Sequence, residues 1–103
     1  QMNDVKTAFH GPPDLSLIGH YASWHVDMAV QNFGIQEYCL MDNEGTQEIF
    51  GEAPQPINGY LTLPDMDKPG LGCNFNIEAA EKYPYKQRYL PIAALSDGTI
   101  IDW

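Results

Sequence analysis

The sequence predicts an α/β fold built on a parallel βαβ unit, and three observations carry that expectation. Val5 to Phe9 is a short β-compatible run, stopped after His10 by Gly11-Pro12-Pro13, because two prolines remove two backbone donors and fix φ. From about Ser16 to Val30 the apolar residues Ile18, Tyr21, Ala22, Val26, Met28 and Ala29 fall mostly at three- and four-residue steps, which places them on one face of a helix. Phe33 to Tyr38 then reads as a second short strand. Two strands joined by a helix lie parallel, since the crossover carries the chain back to the starting edge of the sheet. His10 then stands at the carboxyl tip of the first strand and Glu37 at that of the second, on the edge where parallel α/β folds bind ligands.

The remaining elements follow in order. Asp14 or Ser16 can cap the helix, since either side-chain oxygen can accept a bond from an exposed amide of the first turn. Cys39 to Glu52 is a polar loop after a strand tip, in which Thr46 to Phe50 can make about one helical turn. Pro54 and Pro56 bracket an extended segment, and Asn58-Gly59 signals a tight turn before Tyr60-Leu61-Thr62-Leu63. Pro64 to Gly72, with two prolines, two glycines and two aspartates, has the chemistry of a loop. Asn76 can cap a short helix over Ile77 to Tyr83, which Pro84 ends. Tyr89 to Leu95 and Ile100 to Trp103 read as a terminal hairpin, with Asp97-Gly98 supplying the positive φ of its turn and Pro91 marking an edge strand.

At 103 residues the chain has enough apolar residues for a modest core. Its formal charge of −9, from five basic and fourteen acidic residues, argues against nucleic acid and anionic membranes, which need clustered lysine and arginine. Solubility is the ordinary reading of such acidity. Cys39 and Cys73 form too small a set for a disulfide framework, and free thiols in a cytoplasmic protein are expected. No apolar run is long enough to span a bilayer as a helix. His20 and His25 are five residues apart, roughly 140° around a helix of 3.6 residues per turn, so they cannot share one metal from one face. Packing or exposure is the expectation for both, and packing for Tyr21 and Trp24. Gly-x-Gly-x-x-Gly, phosphate-loop, Cys-x-x-Cys and His-Glu-x-x-His patterns are absent.

His10-Gly11-Pro12 with Asp14, and Asn32-Phe33-Gly34-Ile35-Gln36-Glu37-Tyr38, resemble the carboxyl-terminal part of the mannonate dehydratases of the enolase superfamily. The resemblance continues in order through Pro69-Gly70-Leu71-Gly72, Lys82-Tyr83-Pro84-Tyr85, Tyr89-Leu90-Pro91 and Asp97-Gly98-Thr99 to Asp102-Trp103. It implies an amino-terminal capping domain joined to a (β/α)7β TIM-like barrel. Residues 1–50 would be the last βαβ unit of that barrel with its following loop. Residues 51–103 would be a carboxyl-terminal extension of short hairpins and a short helix, ending in a hairpin that returns to the capping domain. A lone βαβ unit leaves one helix face and both strand edges uncovered, so a fragment of a longer or cleaved chain is expected.

The resemblance also implies an activity: Mg²⁺-assisted dehydration of a sugar acid such as mannonate or gluconate to a 2-keto-3-deoxy acid, in which a proton leaves C2 and the 3-hydroxyl departs. The Mg²⁺ ligands and the principal acid and base would lie outside this segment, so none of its residues is assigned to metal or to catalysis. Its share would be substrate binding by His10, Asp14 and Glu37, with Trp103 closing the site. Against these stand plainer roles: a histidine satisfying loop carbonyls, a helix-capping aspartate, a solvated strand-end carboxylate and a frayed terminus. Pro13 departs from the smaller or hydroxylated residue of the family pattern, and Asn74 and Asn76 replace acidic ones. The expected partners are the sugar acid, the remainder of the polypeptide or a complementary chain, and further copies in a homo-oligomer. The competing class is a non-catalytic acidic binding module or a regulatory relative that kept the fold without the reaction.

Overall fold

The computed structural model describes residues 5–62, 65, 67–87 and 94–100. Strand β1 (Thr7–Phe9), helix α1 (Leu17–Ala29) and strand β2 (Phe33–Gln36) form the βαβ unit, followed by helices α2 (Glu44–Phe50) and α3 (Ile77–Ala80). β1 and β2 pair in parallel, as expected, with Thr7 opposite Phe33, Ala8 opposite Ile35 and Phe9 opposite Gln36. The register slips by one residue at Gly34. A Cβ there would lie 2.8 Å from the Thr7 carbonyl oxygen and 2.9 Å from the Lys6 Cβ, so the close approach at the bulge requires glycine. The slip is braced by the Asn32 side-chain amide, which donates to the Val5 carbonyl at 2.8 Å, and by the Thr7 amide donating to the Asn32 carbonyl at 2.8 Å.

Three asparagine or serine caps set the helix starts. Ser16, not Asp14, caps α1, accepting from the Gly19 amide at 3.4 Å. Asn43 caps α2 through the Thr46 amide at 2.9 Å, which starts that helix two residues earlier than its apolar content suggested. Asn76 caps α3 as anticipated, through the Ala79 amide at 3.1 Å. The Asn58-Gly59 turn also forms: φ is 53° and 80° at these two residues, and Ile57 and Tyr60 bridge across it. In the last turn Ala94 and Ile100 bridge antiparallel, but only Gly98 takes a positive φ, of 86°. Asp97 instead accepts from the Thr99 amide at 2.9 Å, a bond that holds its carboxyl below the usual aspartate range. Residues 88–93 and 101–103, with the Pro91 strand and Trp103, lie outside the described residues.

The core corrects the expected helix face. α1 buries Leu17, His20 and Trp24, while Ile18, Val26 and Met28 of the anticipated stripe are exposed. The reason is that α1 is apolar on two sides, and only the Leu17, His20 and Trp24 side meets the loop after β2. There Leu17 and Trp24 join Met41 and Ala53, with Tyr21, Tyr38, Phe50 and Leu61 packed around them. Trp24 meets Tyr21 at 4.8 Å between ring centroids and Tyr38 edge-on at 5.5 Å. Val5, Phe33 and Ile35 along the strands stay exposed. The radius of gyration is 17.2 Å, against about 13 Å for a compact chain of this length. The surface area is 8453 Å², against about 5,800 Å² for a folded monomer of this mass. Much apolar surface is therefore exposed among the described residues, including the second face of α1 and the Phe33 and Ile35 side chains of β2.

Candidate functional site at the strand tips

Parallel pairing brings the ends of β1 and β2 to one edge, and the two chain segments leaving that edge stay fastened together. The Gly11 amide donates to the Glu37 carboxylate at 2.9 Å, and the Cys39 amide donates back to the Gly11 carbonyl at 3.1 Å. This crossing is tight. A Cβ on Gly11 would stand 1.9 Å from the Glu37 carbonyl oxygen and 3.2 Å from the His20 Cε1, so any side chain there forces the segments apart. Glu37 thus uses its backbone as a wall and its side chain as an acceptor. Its Oε2 also lies 3.6 Å from the His10 Nε2.

His10 and Glu37 face water, with side chains 78% and 60% exposed. The structure therefore presents an imidazole and a carboxyl group side by side at the carboxyl edge, both accessible to a ligand. Together they can donate to and accept from adjacent hydroxyl groups. Asp14 is exposed in the turn after Pro12, where the Leu15 amide donates to the Pro12 carbonyl at 3.2 Å. It neither caps α1 nor joins the His10–Glu37 pair. Trp103 lies outside the described residues.

Below the pair, on the helix side, His20 is fully buried against the Gly11 backbone and meets the Tyr38 ring edge-on at 5.2 Å. Burial pushes the His20 imidazole below its usual range, with the Pro12 carbonyl pulling weakly the other way. Burial likewise pushes the Tyr38 phenol up. Sequence reasoning assigned Gly11 only to stopping the strand and left His20 open between core packing and exposure. The available signal was position: His20 lies three residues after Leu17 and four before Trp24, on the same helix face. His25, on another side of α1, donates its Nε2–H to the Leu71 carbonyl at 3.0 Å and ties the Pro69–Gly72 loop to the helix.

No three His, Cys, Asp or Glu side chains converge among the described residues. Cys39 and Cys73 are unpaired thiols. No helix among the described residues is long and apolar enough to cross a membrane. A groove of about 440 Å³ opens elsewhere, between α1, β2 and the Ile57–Tyr60 turn, and is lined in part by Trp24, Asp27, Phe33 and Tyr60. Burial pushes the Asp27 carboxyl up in this groove, whose lining includes neither His10 nor Glu37.

The chain is 46% identical over 99 residues to a D-galactonate dehydratase family member of Pseudarthrobacter chlorophenolicus, covering 96% of this chain and 24% of that protein. It is 42% identical over 102 residues to a D-mannonate dehydratase of Caulobacter vibrioides, covering 99% of this chain and 25% of that one. A D-galactonate dehydratase family member of Musicola paradisiaca is 48% identical over 84 residues, 82% of this chain and 19% of its own length. The chain thus spans a quarter or less of the curated relatives it matches. The family described as enolase C-terminal domain-like matches residues 1–80, and the chain belongs to that α/β family of the enolase superfamily, alongside proteins named as sugar-acid dehydratases.

Proposed function

We propose that this segment is the carboxyl-terminal part of a sugar-acid dehydratase, a hydro-lyase acting on D-mannonate, D-galactonate or a related acid such as gluconate. The observation that carries the reading is the His10–Glu37 pair, 3.6 Å apart and open to solvent at the carboxyl edge of a parallel strand pair. In this reading His10 donates to a substrate hydroxyl and Glu37 accepts from its neighbour, so that the polyol chain is held in one register. Asp14, on the turn beside them, reaches a more distant hydroxyl, and Trp103 covers the bound acid. The reaction removes the proton from C2 and expels the 3-hydroxyl as water, and the enol so formed becomes a 2-keto-3-deoxy acid. The acid and base for those transfers, and the carboxylates that would hold Mg²⁺, belong to the rest of a (β/α)7β barrel. The reading places the enzyme in the cytoplasm as a homo-oligomer.

The test is to incubate the intact protein with D-mannonate, D-galactonate and D-gluconate and to measure 2-keto-3-deoxy acid formation with Mg²⁺ and after chelation. Chelator-sensitive product from at least one acid supports the reading. Binding of these acids without product, with Mg²⁺ present, favours a non-catalytic member of the family, and neither binding nor turnover overturns the sugar-acid reading altogether.

A further inference from the structure

We infer that His20 is a positioning residue for the strand-tip pair, setting the separation of His10 and Glu37 by holding both strand ends against one flat ring. The inference rests on the reading of that pair as sugar-acid contacts.

His20 is 0% exposed, an unusual burial for a side chain that carries two polar nitrogens. Neither nitrogen makes a well-formed hydrogen bond among the described residues, so an apolar residue would fill the space at lower desolvation cost. What the ring touches explains its place. Its Cε1 lies 3.2 Å from the position of a Gly11 Cβ, and Gly11 directly follows His10. The His20 ring meets the Tyr38 ring in a T-shaped contact at 5.2 Å and 87°, and Tyr38 directly follows Glu37. Trp24 backs it at 6.2 Å from the same helix. One rigid ring therefore abuts the next residue after each member of the pair. The Gly11–Glu37 and Cys39–Gly11 hydrogen bonds pull the two segments together, and His20 limits how far they can sink toward α1. An empty space in place of the ring would change the distance that a substrate must bridge.

The experiment compares kcat and KM for the preferred sugar acid in the intact protein and in its His20→Ala, His20→Phe, His20→Gln, His10→Asn and Glu37→Gln variants, each assayed well below its own Tm. His20→Ala should raise KM and lower kcat/KM by 10- to 10²-fold in order of magnitude, the cost of misplacing binding groups by about 1 Å. His20→Phe, which keeps a flat ring, should return kcat/KM to within about threefold of the parent, and His20→Gln should not. A merely structural role would lower Tm and the active fraction, reducing kcat while leaving KM alone. If His20→Ala does not fold, His20→Leu, which keeps volume without the flat ring, takes its place. A folded ring-less variant with the parent KM overturns the inference, as does rescue by Gln but not by Phe. Unchanged KM in His10→Asn and Glu37→Gln would instead overturn the reading of the pair itself, so the two failures are distinguishable.

Discussion

Replacing Gly11 with alanine is the smallest change that should open the strand-tip site. The new Cβ would start 1.9 Å from the Glu37 carbonyl oxygen, and relaxing to the roughly 3.3 Å of an ordinary C···O contact needs a shift of about 1.4 Å. That shift acts directly on the bonds that fasten the tips, from the Gly11 amide to Glu37 at 2.9 Å and from the Cys39 amide to the Gly11 carbonyl at 3.1 Å. Overpacking of this kind costs about 1–3 kcal/mol, and a lost backbone bond adds about 1 kcal/mol. The bond to Glu37 counts for little more, because that side chain is 60% exposed and screened. The expected loss is therefore about 3 kcal/mol, read as a shift in the chemical-denaturation midpoint of the intact protein at unchanged slope. In the same sample kcat/KM for the sugar acid should fall on the order of 10²-fold, since His10 and Glu37 move apart by about an ångström. A Gly11→Ala protein with the parental midpoint and KM would refute the close approach and the role built on it.

Other consequences are more local. Asn43→Ala should cost about 1 kcal/mol of stability, and Ser16→Ala less than that, because the Asn43 cap bond is 2.9 Å and the Ser16 one 3.4 Å; denaturant titration of each variant separates the two. His20 is held below its ordinary value of 6.5 by burial, so the folded state resists its protonation. Stability from this group is complete above about 6.5 and is lost as pH falls through the lowered folded-state value, and a His20→Phe variant should lose that part of the acid dependence of Tm. The Lys82–Glu48 pair, 2.8 Å apart at the surface between α2 and α3, should be dispensable: Lys82→Met should leave the denaturation midpoint unmoved at high salt.

The βαβ unit was legible because its signals are local. Prolines stop β1, periodicity marks α1, and a β-rich run marks β2, so strand order and parallel pairing follow from connectivity alone. The turns at Asn58-Gly59 and the Asn76 cap were legible for the same reason, as side chains acting on their own backbone. The buried face of α1 was not, because the helix carries apolar residues on two sides, and which side meets the chain depends on the Met41 and Ala53 segments far along the sequence. Gly11 escaped for a related reason: its need for a bare Cα comes from Glu37, twenty-six residues away. Asp14 shows the opposite limit. Its capping chemistry is ordinary, yet Ser16 two residues later takes the cap and leaves Asp14 exposed.

The most direct measurement is the KM of the intact protein for its sugar acid before and after His10→Asn. The substitution keeps a side chain that can hydrogen-bond but shortens its reach and removes the imidazole beside Glu37. The account predicts a folded variant whose KM rises at least about tenfold, equivalent to about 1.4 kcal/mol of lost binding. Parental kcat and KM in that variant would contradict the claim that the tips of β1 and β2 hold the substrate.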